Sequence, residues 1–468
     1  MIEANNLLRV DRLDLLNFRC FADCSLELHP TLTVLVAENA RGKTALLDAL
    51  RLALNVFVTR MGRGKQCPGF DWADVHLVRG TDSRMQTKLP TRFSATGVVD
   101  GQPISWSREL KKSATNRKDA ESLRQAARRL AEREDVLRGI DVETPTLLPI
   151  VAFYGTGRLY DEHRLTHGKR WLAASSPARI AAYLDCLSPS SSYKSFATWY
   201  QRTAEAIRDP SHRALGRNQR PENFLTAVRE AVRTVLEPTG WAAVDWEFPK
   251  KDHLGQPIGR GYVVVEHPAD GRLPLSHLSD GVRNMVALVG DLAHRCARLN
   301  PHLGETAARE TPGILMIDEV DMHLHPHWQQ LVVGLLQAAF PKVQIVLTTH
   351  SPHVLSTVDS KSIRVVSVEN GKGTTKEPSV QTQGDESAAV LARVMDVNPA
   401  PDLESTKQLS RYRALIQSGD DQGGEAGEIW NALIQHFGAE HHLLQEAEVL
   451  RRLQEFKRQH HLPSGGQN

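Results

Sequence analysis

The sequence predicts an α/β fold: a head built on parallel strands, interrupted by an inserted helical lobe and followed by a C-terminal helical tail. Three observations carry this reading. Thr31 to Val36 (TLTVLV) is a short β-branched apolar run, and a glycine-containing turn leads from it into TALLDALRLALNVFV, where apolar residues recur at helical spacing. GILMIDEV (313–320) and VQIVLTTH (343–350) are apolar runs that end in polar residues, as central parallel strands do. Residues 388–459 are helical and amphipathic throughout.

The remaining elements follow in chain order. Leu7 to Phe18 alternates and reads as a strand. Residues 107–139 are dense in Lys, Arg, Glu and Ala and read as a solvated helix inserted in a lobe. TLLPIVAFYG (146–155) is a returning buried strand. From about 160 to 237 the pattern is helical, with loops at SSPAR, LSPSSS and RDPSHR. Residues 242–248 and 261–266 read as strands, and SIRVVSVE (362–369) adds one more. GKGTTKEPSVQTQGDES is a polar linker. The expected division is a head over 1–382, with helical insertions at about 105–145 and 160–240, and a helical domain over 383–468 for partner binding or oligomerisation. There is no internal repeat and no sustained heptad run.

Composition narrows the function classes. Hydrophobic residues make up 41% of the 468, enough for a packed core and against global disorder. A net charge of +2 is close to balance, so any nucleic-acid surface has to be a local patch. The five cysteines are odd in number, scattered, and form no C-x-x-C pair, which argues against a disulfide framework and for a reducing cytoplasm. No apolar run reaches the roughly 18 residues of a transmembrane helix, and the N-terminus lacks a basic-then-apolar signal pattern.

Four elements carry chemistry. Ala37-Glu38-Asn39-Ala40-Arg41-Gly42-Lys43-Thr44 matches the phosphate-binding loop G-x-x-x-x-G-K-[ST], with Ala37 in place of the first glycine. In that loop main-chain N–H groups wrap a β-phosphate, the Lys reaches the β- and γ-phosphates, and the hydroxyl ligates Mg²⁺. Ile314 to Glu319 is an apolar strand carrying two carboxylates at its C-terminal end, where open α/β sheets place ligand groups. Asp318 would hold Mg²⁺, and Glu319 would orient and deprotonate an attacking water. Leu278-Ser279-Asp280-Gly281 opens a helical run and so forms an anion site at a helix N-terminus, although the same string also suits a plain cap. Thr348-Thr349-His350-Ser351 closes a strand, where a histidine can touch a γ-phosphate or be structural. The histidines at 323, 325 and 327 would suit zinc in isolation, but no clear fourth ligand completes a tetrahedral site.

The order of these four elements resembles that of the ABC-type ATPases. Asn17-Phe18-Arg19-Cys20-Phe21 is similar to the opening of the RecF, SMC and OLD-type branch. IDEVDMHLHPHWQQ, TTHSPHVL and Ala152-Phe153-Tyr154-Gly155-Thr156-Gly157-Arg158 resemble its soluble, defence-associated members. VMDVNPAPDLESTKQLSRYRALIQSGD and IWNALIQHFGAEHHLLQEAEVLRRLQEFKR resemble the helical tail of the PtuA family, the ATPases of Septu antiphage defence systems. The head resemblance spans roughly residues 7–370 and the tail resemblance roughly 385–458.

The resemblance implies ATP and Mg²⁺ as cofactors, with nucleotide bound by Asn39, Ala40, Arg41, Gly42, Lys43, Thr44 and Ala45. It implies Mg²⁺ at Thr44 and Asp318, and Glu319 and His350 as the catalytic pair. Ser279 and Gly281 would complete the site of a second subunit, giving a homodimer or higher oligomer through ATP-sandwiched heads. The implied partner is a separate HNH-type nuclease, PtuB, with nucleic acid engaged through the complex, no membrane, and no nuclease centre in this chain. Ala37, and Ala40-Arg41 in place of small residues, depart from the loop pattern and point to slow turnover. A Q-loop glutamine is to be sought near 150–158. Two readings stand beside this one: a RecF-like DNA-repair ATPase or DNA-end binder, and an OLD-type ATPase-nuclease. The second needs a Toprim domain, of which Val365 to Glu369 shows only a superficial likeness, with no Asp-x-Asp after it.

Overall fold

A computed structural model describes residues 7–61, 70–80, 84–111, 115–116, 120–137, 145–158, 179–188, 193–208, 221–253, 257–258 and 261–460. The chain divides into two compact units, Met1–Met395 and Asp396–Asn468.

The first unit is organised by an 11-stranded sheet. One end of it is a parallel block in the order Ile363–Glu369, Leu32–Val36, Val343–Thr348, Gly313–Ile317 and Ile150–Tyr154, the last being the edge strand. The strand interiors are apolar because helices and loops cover both faces. Leu32–Val36, Gly313–Ile317 and Ile150–Tyr154 are buried at every position. Leu8–Phe18, Phe21–Glu27, Thr91–Val99 and Gln102–Leu110 form an antiparallel flank with alternating burial, one face on the core and one in solvent. The helix Lys43–Met61 follows the Leu32–Val36 strand and is buried along most of its length. A smaller three-stranded sheet, Ala243–Glu247, Tyr262–His267 and Gly271–Pro274, lies where strands were expected at 242–248 and 261–266.

Three expectations need correction. Residues 107–110 end an antiparallel strand, so the insertion expected from about 105 does not begin as helix. The helix Glu121–Leu137 is not simply solvated: Leu123, Ala126, Ala127 and Leu130 are fully buried, and the helix packs on Lys43–Met61. Its apolar stripe keeps helical spacing but is built from small residues diluted among charges. The polar stretch from Gly371 begins with a strand, Lys372–Lys376, antiparallel to Ile363–Glu369 and touching Phe21–Glu27 on its other side. Main-chain pairing on both edges holds this segment, which its side chains do not announce. Gly373 is needed there, since a Cβ would lie 2.5 Å from the Phe21 ring.

The boundary between units also differs from the expected 382/383. The helix Ser387–Arg393 belongs with the head, because Val390 and Val394 join its core and Ser387 Oγ meets His353 Nδ1 at 2.8 Å. Of the helical region expected at 160–240, Tyr193–Ile207 and Pro221–Leu236 are described, while 159–178, 189–192 and 209–220 lie outside the described residues.

The second unit is a bundle of Glu404–Ser418, Gly424–Phe437 and His442–Gln459 around Tyr412, Leu415, Ile416, Leu433 and Leu444. Gly419, at φ +89°, ends the first helix by donating its N–H to Leu415 O at 3.0 Å. Asp421 and Arg458 pair at 2.6 Å and tie the turn after that helix to the end of the last one. Burial raises the Asp421 pKa, but the hydrogen bond and charge of Arg458 outweigh it and hold the carboxyl below its ordinary value. Among the described residues no helix is long and apolar enough to cross a membrane.

Candidate nucleotide site

The loop after Leu32–Val36 turns through two left-handed residues, Ala40 at φ +61° and Gly42 at φ +92°. At Gly42 only glycine fits, since a Cβ would lie 2.3 Å from Phe21 Cζ and 2.8 Å from Cys20 Sγ. Ala40 carries a side chain in a conformation that costs an L-residue about 1–2 kcal/mol. Ala40→Gly is therefore expected to stabilise the protein by about 0.5 kcal/mol, the relief of strain exceeding the added chain entropy of glycine. Urea denaturation measures this, and a destabilised variant would contradict the left-handed turn.

Lys43 opens the following helix and is only 7% exposed. Its ammonium donates to Ala37 O at 2.9 Å and Glu38 O at 3.2 Å, across the mouth of the loop. Burial lowers its pKa, against the opposing pull of Asp318, Glu319 and Asp321, so three carboxylates face this one cation. Arg41 turns sideways, to Glu38 at 3.1 Å and to Val368 O at 3.3 Å.

Parallel register brings the acids to the loop. Ile317 sits between Tyr154 and Leu347, so Asp318 leaves the sheet between two strand ends. Its N–H donates to Tyr154 O at 2.9 Å. Its carboxylate, in a residue 4% exposed, accepts from Thr44 Oγ1 at 3.1 Å and from Thr348 Oγ1 at 2.7 Å. Thr348 also accepts from the Glu319 N–H at 2.7 Å, and its carbonyl takes the Val320 N–H at 3.0 Å. These bonds pin Glu319 at φ +50°, a strained setting that isolated glutamate avoids. Thr44 and Asp318 thus present a hydroxyl and a carboxylate side by side, the hard oxygen donors that Mg²⁺ takes.

Thr348 and Asp321, to which the sequence alone assigns no role, hold the two strand ends together here. Asp321 Oδ1 accepts from Thr349 Oγ1 at 2.5 Å and from the His350 N–H at 3.4 Å. It ties the segment after Glu319 to the strand end that carries His350, itself half-buried. Ser351 Oγ donates to Gln329 at 2.7 Å and caps the next turn. His325 caps the helix Pro326–Ala339, and among the described residues no cluster of three or more metal-ligating side chains occurs.

Ser279 is the N-cap of Asp280–Leu299 but its hydroxyl makes no capping bond. Gly281 lies so close to the segment after Glu319 that a Cβ would be 2.6 Å from His323 O. Asp280 and Arg283 form an ion pair in the same turn.

The Asn17-Phe18-Arg19 turn has a defined task. Asn17 and Arg19 adopt left-handed φ values of +50° and +48°, and the Arg19 guanidinium bridges Asp48, on the Lys43–Met61 helix, at 2.6 Å and Asp74 at 3.0 Å. A cleft of about 640 Å³ opens beside this turn, lined among others by Arg19, Cys20, Val75, His76 and Gly371. The strand Ile150–Tyr154 ends next to Asp318, but residues 150–158 contain no glutamine.

The family described as "AAA domain, putative AbiEii toxin, Type IV TA system" matches residues 32–356, well over half of the chain. The chain belongs to this family. Among curated proteins it is 34% identical over 172 residues to "Retron Vc95 probable ATPase" of Vibrio cholerae serotype O1 biovar El Tor, covering 35% of this chain and 32% of that protein. It is 30% identical over 92 residues to "Septu protein PtuA" of Bacillus thuringiensis, covering 20% of this chain and 23% of that one. The resemblance to PtuA read from the sequence is thus found, over a part of each chain. The matched part spans about a third of the retron protein's length and about a quarter of PtuA's. Among solved structures, the SMC head domain from Thermotoga maritima aligns with 80% of this chain and all of its own, at 14% identity and a TM-score of 0.41. The fold is α/β, an 11-stranded mixed sheet with helices around it, followed by a helical second unit.

Proposed function

We propose that this chain is a slowly hydrolysing regulatory ATPase of an antiviral defence complex, working with a separate HNH-type nuclease subunit of the PtuB kind that cuts nucleic acid. The observation that carries the ATPase reading is the closed set Thr44–Asp318–Thr348–Glu319 at the mouth of the Lys43 loop. Retron and Septu names among the partial relatives support the defence setting.

In this reading the main chain of Asn39 to Ala45 and the Lys43 ammonium bind the phosphates. The nucleoside takes the cleft beside Arg19 and Cys20. Thr44 and Asp318 hold Mg²⁺, which supplies charge neutralisation when bound. Glu319, pinned by Thr348, accepts a proton from water at its carboxylate, and His350 faces the terminal phosphate. The free hydroxyl of Ser279 and the N–H of Gly281 serve a second subunit, so each pocket is complete only in a dimer. The strained Ala40 and the sideways Arg41 favour binding over rapid turnover.

The test uses the purified full chain with ATP and Mg²⁺. Expected results are slow, Mg²⁺-dependent ATP hydrolysis, ATP-dependent dimerisation by light scattering, and no nicking of supercoiled plasmid. Mg²⁺-dependent nicking by the clean protein would overturn the separate-nuclease assignment, and failure to bind ATP would overturn the whole reading.

A further inference from the structure

We propose that Tyr154, Asp291 and Arg295 form a buried relay that makes the metal-binding strand end and the Ser279-bearing helix one body, so that a head's own ATP site and the serine it offers its partner move together. This rests on the proposed ATPase reading.

Tyr154 is the last residue of its strand, and its carbonyl holds the Asp318 N–H at 2.9 Å. Its hydroxyl runs the other way and donates to Asp291 Oδ2 at 2.9 Å. The same oxygen accepts from Arg295 Nε at 2.8 Å. Arg295 then donates to Ala182 O at 2.6 Å and Leu184 O at 2.9 Å. Asp291 and Arg295 stand one turn apart on Asp280–Leu299, the helix that Ser279 caps. About 18 Å of helix, at 1.5 Å per residue, separates Ser279 from Asp291.

Tyr154 is 1% exposed, and the side chains of the Asp291–Arg295 ion pair are 11% and 12% exposed. Burial raises the Tyr154 pKa well above the ordinary tyrosine range, which keeps the hydroxyl a neutral donor. An apolar trio of the same volume would fill this space without removing charges from water. What the polar trio adds is direction: each group has a partner, and the bonds fix one relative setting of strand and helix. A shift of Asp318 on nucleotide binding passes through one main-chain bond and one side-chain bond to the helix, where the Arg295 guanidinium holds Asp291 in place. An α-helix carries it to Ser279 with little bending.

Tyr154→Phe removes one hydroxyl and tests this in the full chain, with Asp291→Asn as a second, near-isosteric variant and thermal unfolding as the check on folding. Measured are ATP affinity, the rate of hydrolysis per head, and the Hill coefficient of hydrolysis against ATP concentration. The expected result for both variants is ATP affinity within about twofold of the parent, turnover lower by about tenfold, and a Hill coefficient that falls from above 1 to 1. Unchanged turnover and an unchanged Hill coefficient in folded Tyr154→Phe would overturn the relay, as would a parent protein that hydrolyses ATP without cooperativity. A loss confined to melting temperature would also overturn it, leaving a structural network only. A parent protein that binds no ATP instead sinks the ATPase reading itself.

Discussion

Glu319→Gln is expected to keep ATP binding and stop its hydrolysis, leaving paired heads that do not come apart. The substitution changes one oxygen to an amide and removes the only proton acceptor proposed for the attacking water. Loss of a positioned general base costs about 10²–10⁴ in rate. The local fold should survive, because Glu319 is held through its main-chain N–H to Thr348 and not through its carboxylate alone. Losing a negative charge near the phosphates should also tighten nucleotide binding. Phosphate release under single-turnover conditions measures the first effect, and light scattering with ATP measures the second. Hydrolysis at the parent rate in Glu319→Gln would remove Glu319 from the chemistry.

Lys43→Ala is expected to abolish ATP-driven head closure by removing binding itself. The ammonium sits at the centre of the loop, on two main-chain carbonyls, with three carboxylates facing it. A phosphate arriving there meets the loop's N–H groups and this single buried cation. Charge-assisted hydrogen bonds are worth about 1.5–3 kcal/mol each. Two of them lost, to the β- and γ-phosphates, weaken ATP by about 10²–10⁴-fold. Alanine also leaves Asp318, Glu319 and Asp321 without their counter-charge, so the site would repel the nucleotide. Titration calorimetry with ATP and Mg²⁺ decides the matter, and unchanged affinity would sink the assignment of the site.

Much of this site was legible in the sequence because its parts obey local rules. Leu32–Val36 and Gly313–Ile317 are short, wholly apolar strands, and each ends at a residue whose chemistry is plain: the loop leading to Lys43, and Asp318. What stayed hidden was convergence. Thr348 looks like any threonine in TTH until parallel register sets it beside residue 318. Asp321 reads as part of a histidine-rich turn, yet its carboxylate holds the 349–350 main chain and side chain. Tyr154 belongs to a string singled out only for its likeness to a family, and its hydroxyl partner lies 137 residues away. The Lys372–Lys376 strand escaped for a different reason. Its side chains are polar on both faces, and only the pairing of its main chain reveals it.

The ring of Phe21 under Gly42 bears on how this protein can be divided. The residues that define the family match begin at position 32, and a fragment cut there would still contain the whole phosphate motif. It would lack the surface on which that motif is moulded. Phe21 and Cys20 come from the N-terminal hairpin, and they form the floor against which the loop turns at Gly42. The same hairpin carries Arg19, which clamps the helix behind the loop. Binding competence therefore starts before the motif does, and the first strands are as much a part of the phosphate cradle as the glycine itself.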